Sequence, residues 1–291
     1  MRLRHYLALS KPTITLLVLV TAATALVAEG STLHRPLDFL LILLAIFATS
    51  ASANALNQYF ERDRDAQMRR TAERRPLPRG LIRPQEALLF ALGMGLLGVG
   101  LLAWRYNGLS AFLALLTIGF YSFFYTLWLK PRTAQNIVIG GAAGAMGPVI
   151  AWAAATGGLE LAPWILFLVI FFWTPPHFWA LALMVKQDYE RVRLPMMPVV
   201  RGDLYTLRQI LLYSAVTFLV SLIWAMRGAG AVYWVFALVL GIWFLYRAWD
   251  SYRRRTVESY RRLFGTSILY LLGLFVGVML DTVFRGGSWT R

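Results

Sequence analysis

The sequence contains no cysteine and few charged residues. Without cysteine, the chain has no disulfide bonds, no thiolate metal ligands and no cysteine nucleophile. Only 15% of its 291 residues are charged and 58% are hydrophobic, whereas an ordinary globular domain has about 25% charged residues. A soluble fold cannot bury that much apolar surface, so the composition predicts a membrane protein.

Acidic residues and histidines are also scarce. There are 14 Asp and Glu residues against 29 Lys and Arg residues, and the histidines are His5, His34 and His177. Histidines so far apart, without cysteine, do not support a zinc site. Neither a P-loop nor a dinucleotide-binding fingerprint is found in its expected context. The basic excess does not indicate a nucleic-acid partner, because these residues lie in short segments between apolar runs, where they orient membrane proteins.

Long apolar runs divide the chain into nine segments that approach the roughly 20 residues needed to span a bilayer. We expect a single all-α domain, residues 1–291, forming a polytopic bundle of nine transmembrane helices. The predicted helices are Thr13–Ala28, Phe39–Leu56, Ala87–Trp104, Leu109–Leu129, Asn136–Ala155, Leu161–Val185, Ile210–Met226, Ala229–Tyr246 and Leu263–Leu280.

The distribution of basic residues predicts the orientation of this bundle. The N-terminus and the connections after helices 2, 4, 6 and 8 contain 24 of the 29 Lys and Arg residues. The five on the other side are Arg35, Arg105, Arg227, Arg285 and Arg291. Because basic residues accumulate in cytoplasmic loops, we expect a cytoplasmic N-terminus and an external C-terminus.

Two of the cytoplasmic connections contain acidic as well as basic residues. The connection after helix 2 contains Glu61, Asp63, Asp65 and Glu73, and the one after helix 6 contains Asp188, Glu190 and Asp203. Both connections follow an even-numbered helix, and they are four helices apart. This arrangement suggests two related halves, residues 11–130 and 131–246, followed by a ninth helix at 263–280. No residue-level repeat is evident. The polar ends of the halves are expected to meet in one cavity.

Asn57, Glu61 and Asp65 are spaced four residues apart at the end of helix 2. This spacing places their oxygen-bearing side chains on one helical stripe, about 6 Å apart per step, whereas Asp63 points to another face. Mg²⁺ is commonly bound by one or two carboxylates together with substrate phosphate oxygens. The alternative is a solvated helix end with exposed ion pairs. Asn57 favours the first interpretation, because a deeper amide needs a partner in the membrane.

Four basic residues near these acids are candidates for binding a phosphate group. Arg75 and Arg79 bracket Pro-Leu-Pro within a basic run, and Lys130 and Arg132 follow helix 4. Guanidinium groups bind phosphate oxygens and stabilise a departing diphosphate. A topogenic loop that attracts anionic lipid explains any single arginine of the run equally well.

Helix 6 contains Trp173-Thr-Pro-Pro-His177, which combines two prolines with an intramembrane histidine. The prolines are expected to break the helical hydrogen-bond ladder, which membrane helices tolerate where they are buried or line a cavity. His177 is therefore a functional candidate, although a structural role fits equally well. Asp188 follows this helix and is expected to face the stripe of helix 2. Position 192 is Val192, so a second Asp-xxx-Asp pair is missing.

These motifs together resemble the UbiA superfamily of intramembrane prenyltransferases. The likeness rests on Asn-xxx-Glu-xxx-Asp after helix 2, nine helices and a second acidic connection after helix 6. The segments RPLPRG, NIVIGGAAGAMGPVIAW, TPPHFWALA and DY…LPMMPVV are similar to its heme-farnesylating branch. The resemblance extends from about Lys11 to Leu280.

The resemblance implies a reaction and a set of site residues. Farnesyl is transferred from farnesyl diphosphate to the 2-vinyl group of heme b, and water addition gives heme O. The implied Mg²⁺ ligands are Asn57, Glu61, Asp65 and Asp188; the implied diphosphate ligands are Arg75, Arg79, Lys130 and Arg132; and the heme-contact candidates are His177, Trp173 and Tyr189. The implied setting is the bacterial inner membrane, with the site on the cytoplasmic side and heme A synthase as a further partner.

Two rival functions are compatible with parts of the sequence. A UbiA-type enzyme that prenylates an aromatic or quinone precursor is expected to have the second Asp-xxx-Asp pair that this chain lacks. A transporter is the other rival, since paired halves with broken helices also describe carriers. The acids here concentrate at one membrane face and not at the midplane, which disfavours transport. Glu61 stands where many superfamily members have Asp, so its carboxylate reaches one methylene further.

Overall fold

The computed structural model describes residues 3–286. Within this range nine helices are long and apolar enough to cross a membrane, which confirms the predicted number. They are α1 (Pro12–Glu29), α2 (Pro36–Asp65), α3 (Pro84–Arg105), α4 (Gly108–Leu129), α5 (Asn136–Thr156), α6 (Leu161–Met184), α7 (Gly202–Met226), α8 (Ala231–Arg254) and α9 (Val257–Phe284). Shorter helical segments are Leu3–Leu9, Ser31–His34, Arg69–Ala72, Lys186–Arg191 and Met197–Val200.

The helices divide into an interior group and a peripheral group. In α2, α5 and α6, 61 to 67% of the apolar window is buried inside the bundle, against 22% in α3 and 28% in α8. The peripheral helices present exposed leucines such as Leu89 and Leu96. Leucine on an outer surface is what a bilayer accommodates, because lipid tails are as apolar as leucine. The interior helices therefore form the framework on which a buried site can be built.

Proline begins several of these helices. Pro12, Pro36 and Pro84 each occupy the first turn of α1, α2 and α3. The missing N–H of proline costs nothing there, because the first N–H groups of a helix have no partner within the helix. Inside a helix, proline removes a hydrogen bond that the helix would otherwise form. Helix α6 contains two such prolines.

Pro175 and Pro176 remove two donors from the hydrogen-bond ladder of helix 6, as expected, but they do not end the helix. The helix runs without interruption from Leu161 to Met184 and contains both prolines. Proline removes two backbone donors, but neighbouring side chains and packing can replace them in a membrane helix. The hydroxyl of Thr174 donates to the carbonyl of Ile170 at 2.7 Å, next to the carbonyls of Phe171 and Phe172 that the prolines leave without a helical donor. Residues 173–177 are all buried, so the helix continues through a packed segment.

Two other helices depart from regular α geometry. The last ten residues of α4, Phe120–Leu129, form a π-helix, and the N–H of Lys130 accordingly bonds to the carbonyl of Tyr125 at 2.8 Å. π-turns are rare and frequently occur at functional sites. Helix α5 consists of two α-helical segments, Asn136–Ala145 and Gly147–Thr156. The pattern of apolar residues in the sequence does not predict either the π-helical segment or the division of α5.

Helix α2 continues nine residues beyond its predicted end at Leu56 and finishes at Asp65. The acidic segment after helix 6 behaves differently, because α6 ends at Met184 and a separate short helix follows, Lys186–Arg191. The hypothesis of two related halves stays a prediction. The continuous α2 matters most for the site, since it places every polar residue of that segment at fixed helical spacing.

Helices α2 and α3 pack closely because α3 has a glycine at the contact. A Cβ added to Gly98 would lie 2.8 Å from the backbone oxygen of Ala45 and 2.7 Å from the hydroxyl of Thr49. A backbone oxygen cannot move aside for an added methyl group in the way that the end of a flexible side chain can. Gly98 therefore sets the separation of the two helices.

We expect Gly98→Ala to destabilise the protein by about 1–3 kcal/mol, because the added methyl group overpacks this contact. Gly100→Ala is the matched control, since nothing lies within 4 Å of a Cβ there and alanine is the better helix former. Thermal unfolding in detergent measures both variants. Equal melting temperatures would contradict the packing argument.

Candidate functional site

A row of polar side chains lies buried along the last three turns of α2. Asn57, Glu61 and Asp65 retain only 2%, 4% and 3% of their surface exposed. The side chain of Asp63 on the other face is 84% exposed. These exposures exclude a solvated helix end, because carboxylates in exposed ion pairs would be accessible to water. Such burial requires compensating partners.

The two carboxylates are paired with two cations from other segments. Lys130, directly after α4, donates to one oxygen of Glu61. Arg75 lies 3.5 Å from the other oxygen of Glu61 and donates to Asp65. Burial disfavours the charge on Arg75, but Asp65 and Glu61 outweigh it and raise the pKa of Arg75 above its ordinary value. Glu61 thus joins α4 and the connection after α2.

The third member of the row, Asn57, binds a lysine from the start of the chain. Lys11 donates to its carbonyl oxygen at 2.8 Å, and the amide of Asn57 donates to the hydroxyl of Thr126 at 3.1 Å. The residue that follows Asn57 in the sequence, Gln58, donates to the carbonyl of Leu9 at 2.9 Å and so fixes the segment before Lys11. These bonds explain why Lys11 reaches the interior although it precedes α1.

Lys11 was not among the residues predicted for the site. Burial, reinforced by the cation of Arg75, lowers the pKa of Lys11 well below its usual value. Lys11, Arg75 and Lys130 are three basic groups, whereas Glu61 and Asp65 are two acidic groups. This buried cluster, which we call the α2 charge cluster, therefore has one basic group in excess, and Lys11 is the one whose charge burial disfavours. A single lysine next to the first apolar run, on the same predicted side as the acids, was the only signal in the sequence.

Aromatic side chains of the π-helical segment border this cluster. The rings of Tyr121 and Tyr125 stack with centroids 5.3 Å apart, and the ammonium of Lys11 lies 5.9 Å from the centre of the Tyr121 ring. A Cβ at Gly140 of α5 would lie 2.3 Å from the ring of Tyr125. Only glycine at that position leaves room for the ring.

Asp188 contacts the segment that follows the α2 acids. Its carboxylate accepts a hydrogen bond from the backbone N–H of Arg70 at 3.2 Å. In the same turn, the hydroxyl of Thr71 donates to the backbone oxygen of Asp65 at 2.8 Å. The two acid-rich connections thus touch, one turn beyond the α2 charge cluster.

Arg79 and Arg132 lie outside the cluster. Arg79 is exposed and takes part in none of the ion pairs formed between residues 3 and 286. Arg132 donates to the carbonyl of Trp128 at 2.8 Å and lies over its ring. The sequence could not separate Arg75 from Arg79, since both flank the same Pro-Leu-Pro.

Two of the remaining candidates, Trp173 and His177, lie in the interior against α9. The ring of His177 stacks between Trp173 and Phe264, with centroids 4.4 Å away on each side. Its Nδ1 is 2.7 Å from the hydroxyl of Ser267. These contacts favour the structural role for His177. Tyr189, beside Asp188, is 6% exposed and packs into the main hydrophobic core.

The donor set of the cluster fits Mg²⁺ only together with a substrate. Within residues 3–286, no group of three or more His, Cys, Asp or Glu side chains is placed to hold a metal ion. Asn57, Glu61 and Asp65 nevertheless offer the hard oxygen ligands that Mg²⁺ prefers. Because Mg²⁺ is usually held by one or two carboxylates plus substrate phosphate oxygens, this stripe suits a metal that arrives with a diphosphate.

Comparisons with known proteins agree with this fold. A family model described as the UbiA prenyltransferase family matches residues 17–276. The chain is 46% identical to protoheme IX farnesyltransferase of Erythrobacter litoralis, covering 96% of this chain and 92% of that protein. It is 45% identical to protoheme IX farnesyltransferase of Gloeobacter violaceus, covering 97% and 93%.

Solved structures show the same fold at low sequence identity. A digeranylgeranylglyceryl phosphate synthase structure aligns with a TM-score of 0.77 at 17% identity, covering 97% of this chain and 99% of that chain. A UbiA homolog from Archaeoglobus fulgidus bound to DMAPP and Mg²⁺ aligns with a TM-score of 0.68 at 18% identity, covering 94% and 98%.

The helical bundle and its buried charged site define a multi-pass membrane enzyme. The chain belongs to the UbiA prenyltransferase family, and it is a prenyltransferase. The resemblance to the heme-farnesylating branch is confirmed by the relatives named above.

We expect Glu61→Gln to destabilise the protein in the absence of substrate, because it leaves Lys130 buried without its acid. Removing one partner of a buried ion pair typically costs about 3–5 kcal/mol. Glu73→Gln is the control, since Glu73 is exposed on the connection after α2. Unfolding in detergent measures both. The electrostatic account fails if the two substitutions have the same small effect.

Proposed function

We propose that this chain transfers a farnesyl group from farnesyl diphosphate to the 2-vinyl group of heme b, with addition of water, giving heme O and diphosphate. The observation that carries the proposal is the α2 charge cluster, which combines carboxylates for a metal with basic groups for an anion. The relatives named protoheme IX farnesyltransferase support the choice of heme as acceptor. Membership of the UbiA prenyltransferase family supports a prenyl diphosphate as the donor substrate.

The metal in this proposal is Mg²⁺, held by Asn57, Glu61 and Asp65 together with the diphosphate. Bound there, it would neutralise charge on the departing diphosphate. Asp188 is the fourth proposed ligand, and its contact with the turn after Asp65 supports that position. Lys130 and Arg75 lie on these carboxylates, so in the proposed complex the metal takes the carboxylate oxygens and the two cations turn to the phosphate oxygens.

Lys11, Arg75 and Lys130 are the proposed diphosphate-binding residues of the cluster. As the carbon–oxygen bond of farnesyl diphosphate breaks, negative charge grows on the leaving group. Cations fixed in advance in a dry site stabilise that charge more than they do in water. Arg79 and Arg132 stay predicted ligands, and their observed positions mean that each would have to move to reach the cluster.

The same site must keep water away from the allylic cation until heme attacks it. Tyr121 and Tyr125 form an aromatic wall beside the cluster. A water-poor, aromatic surface suits a hydrophobic cation, since ring faces attract positive charge and excluded water cannot quench it. No side chain needs to act as a nucleophile, so the protein contributes orientation and electrostatics.

We place the enzyme in the bacterial inner membrane with this site on the cytoplasmic side. The strong asymmetry of Lys and Arg between the two membrane faces supports that orientation. A heme A synthase that consumes the product is a further proposed partner. His177, Trp173 and Tyr189 remain the candidates for contacting heme.

We expect Asp65→Ala to abolish formation of heme O while the protein still inserts into the membrane. Extraction of hemes from membranes that express the chain measures this, with farnesyl diphosphate and Mg²⁺ supplied. Asp63→Ala is the matched control, because Asp63 is exposed on the same helix. Heme O formation by the Asp65 variant would refute the metal assignment. An unchanged heme profile with the unaltered chain would refute the proposed reaction.

We expect Lys11→Met to lower kcat by roughly a hundredfold, the usual effect of removing one donor to a developing negative charge. Arg64→Met removes an exposed cation from the last turn of α2 and should leave kcat near its original value. Steady-state kinetics over a range of farnesyl diphosphate concentrations distinguish the two variants. If Lys11→Met changes kcat no more than the control, Lys11 is not part of the diphosphate site.

A further inference from the structure

A second charged cavity lies at the opposite end of α2, where four helix ends meet. The cavity is formed by the beginnings of α2 and α4 and the ends of α3 and α5, and its volume is about 310 Å³. Asp38 and Asp65 are separated by 27 positions of one helix, or ~40 Å at 1.5 Å per residue. This site, which we call the Asp38 cavity, is therefore distinct from the α2 charge cluster. Its polar lining includes Thr32, Arg35, Asp38, Arg105, Tyr106 and Asn107.

One carboxylate in this cavity is shared by two guanidinium groups. Asp38 is 8% exposed; its carboxylate lies 3.0 Å from Arg105 and 3.8 Å from Arg35. The hydroxyl of Tyr106 donates to the backbone oxygen of Asp38 at 3.1 Å. Arg35 also donates to the hydroxyl of Ser31 at 3.3 Å, which in turn donates to Glu29. Among the residues that line the cavity itself, two cations face one anion. Both arginine side chains remain about half exposed, so N–H groups are free for a further acceptor.

A buried hydroxyl in the lining also lacks a partner. Thr32 is 1% exposed, and between residues 3 and 286 its hydroxyl oxygen has no hydrogen-bond partner. A buried polar group without a partner carries a desolvation cost, which a ligand in the cavity would remove. The nearby Glu29 does not compete for this hydroxyl, because its carboxylate accepts from the N–H and hydroxyl of Ser31.

The surroundings of the cavity favour a lipid over a soluble anion. Trp104, next to Arg105, is 84% exposed, and Leu37 and Leu40, on either side of Asp38, are 65% and 63% exposed. Exposed tryptophan marks the depth of lipid headgroups in membrane proteins. Exposed leucines beside the cavity provide an apolar surface for acyl chains. A phospholipid has a charged headgroup and apolar acyl chains. The charged cavity at headgroup depth matches the first, and the exposed leucines beside it match the second.

We propose that the Asp38 cavity binds the phosphodiester headgroup of an anionic phospholipid. Arg35 and Arg105 donate to the phosphate oxygens, and the hydroxyl of Thr32 donates a further bond. Guanidinium groups suit this role because their planar N–H groups match phosphate oxygens. The single negative charge of phosphatidylglycerol equals the excess charge of the lining. The bound lipid would brace four helix ends from the side opposite the charge cluster.

Native mass spectrometry of the full chain in detergent tests the proposal, with phosphatidylglycerol or phosphatidylcholine added. We expect retention of phosphatidylglycerol in preference to phosphatidylcholine. Arg35→Gln should reduce that retention by roughly tenfold or more, as expected for loss of a charge-assisted hydrogen bond. This variant leaves the shorter Arg105–Asp38 pair in place, so the fold is preserved. Arg227→Gln is the control, because Arg227 is exposed and lies outside the cavity.

A second variant tests the buried hydroxyl. Thr32→Val keeps the shape of the side chain and removes its donor, so it should weaken phosphatidylglycerol retention as well. Equal retention by Arg35→Gln, Thr32→Val and the Arg227 control would overturn the proposal. A final experiment replaces the lipid with inorganic phosphate and measures thermal stability. Raised thermal stability with millimolar phosphate, lost in Arg35→Gln, would reassign the cavity to a soluble anion.

Discussion

Buried carboxylates in an apolar bundle persist only where cations reach them, and this requirement organises the site end of the molecule. Glu61 is shared between Lys130 and Arg75, which come from the end of α4 and from the connection after α2. Asn57 brings in Lys11 from the start of the chain. One helix therefore determines where three other segments lie, since each supplies a group that the polar row of α2 needs.

The charges of that cluster do not cancel, and the imbalance connects structure with chemistry. Three basic groups against two carboxylates do not serve stability alone, because the unmatched group is costly to bury in its charged form, and the pKa of Lys11 is lowered accordingly. The same arrangement is suited to an anion that brings its own metal. The π-helical end of α4 contributes to both aspects, since it places Lys130 at Glu61 and the rings of Tyr121 and Tyr125 beside the cluster.

Much of this could be read from the sequence, because the signals were local. Apolar runs identified nine spans, and a spacing of four residues placed Asn57, Glu61 and Asp65 on one stripe. Contacts between distant residues were not predictable in this way. Lys11 reaches Asn57 across 46 positions, and His177 meets Ser267 across 90. Neither contact leaves a periodic pattern, and the continuity of α6 through its prolines depends on packing that only the fold supplies.

The central claim is that Arg75 and Lys130 exchange carboxylates for a diphosphate when substrate binds. The most direct test is an experimental structure of the chain with Mg²⁺ and a non-hydrolysable farnesyl diphosphate analogue. We expect the diphosphate between α2 and the end of α4, with Lys11, Arg75 and Lys130 within hydrogen-bond distance of its oxygens. A diphosphate bound elsewhere, with Lys130 still on Glu61 and Arg75 still on Asp65, would contradict this account.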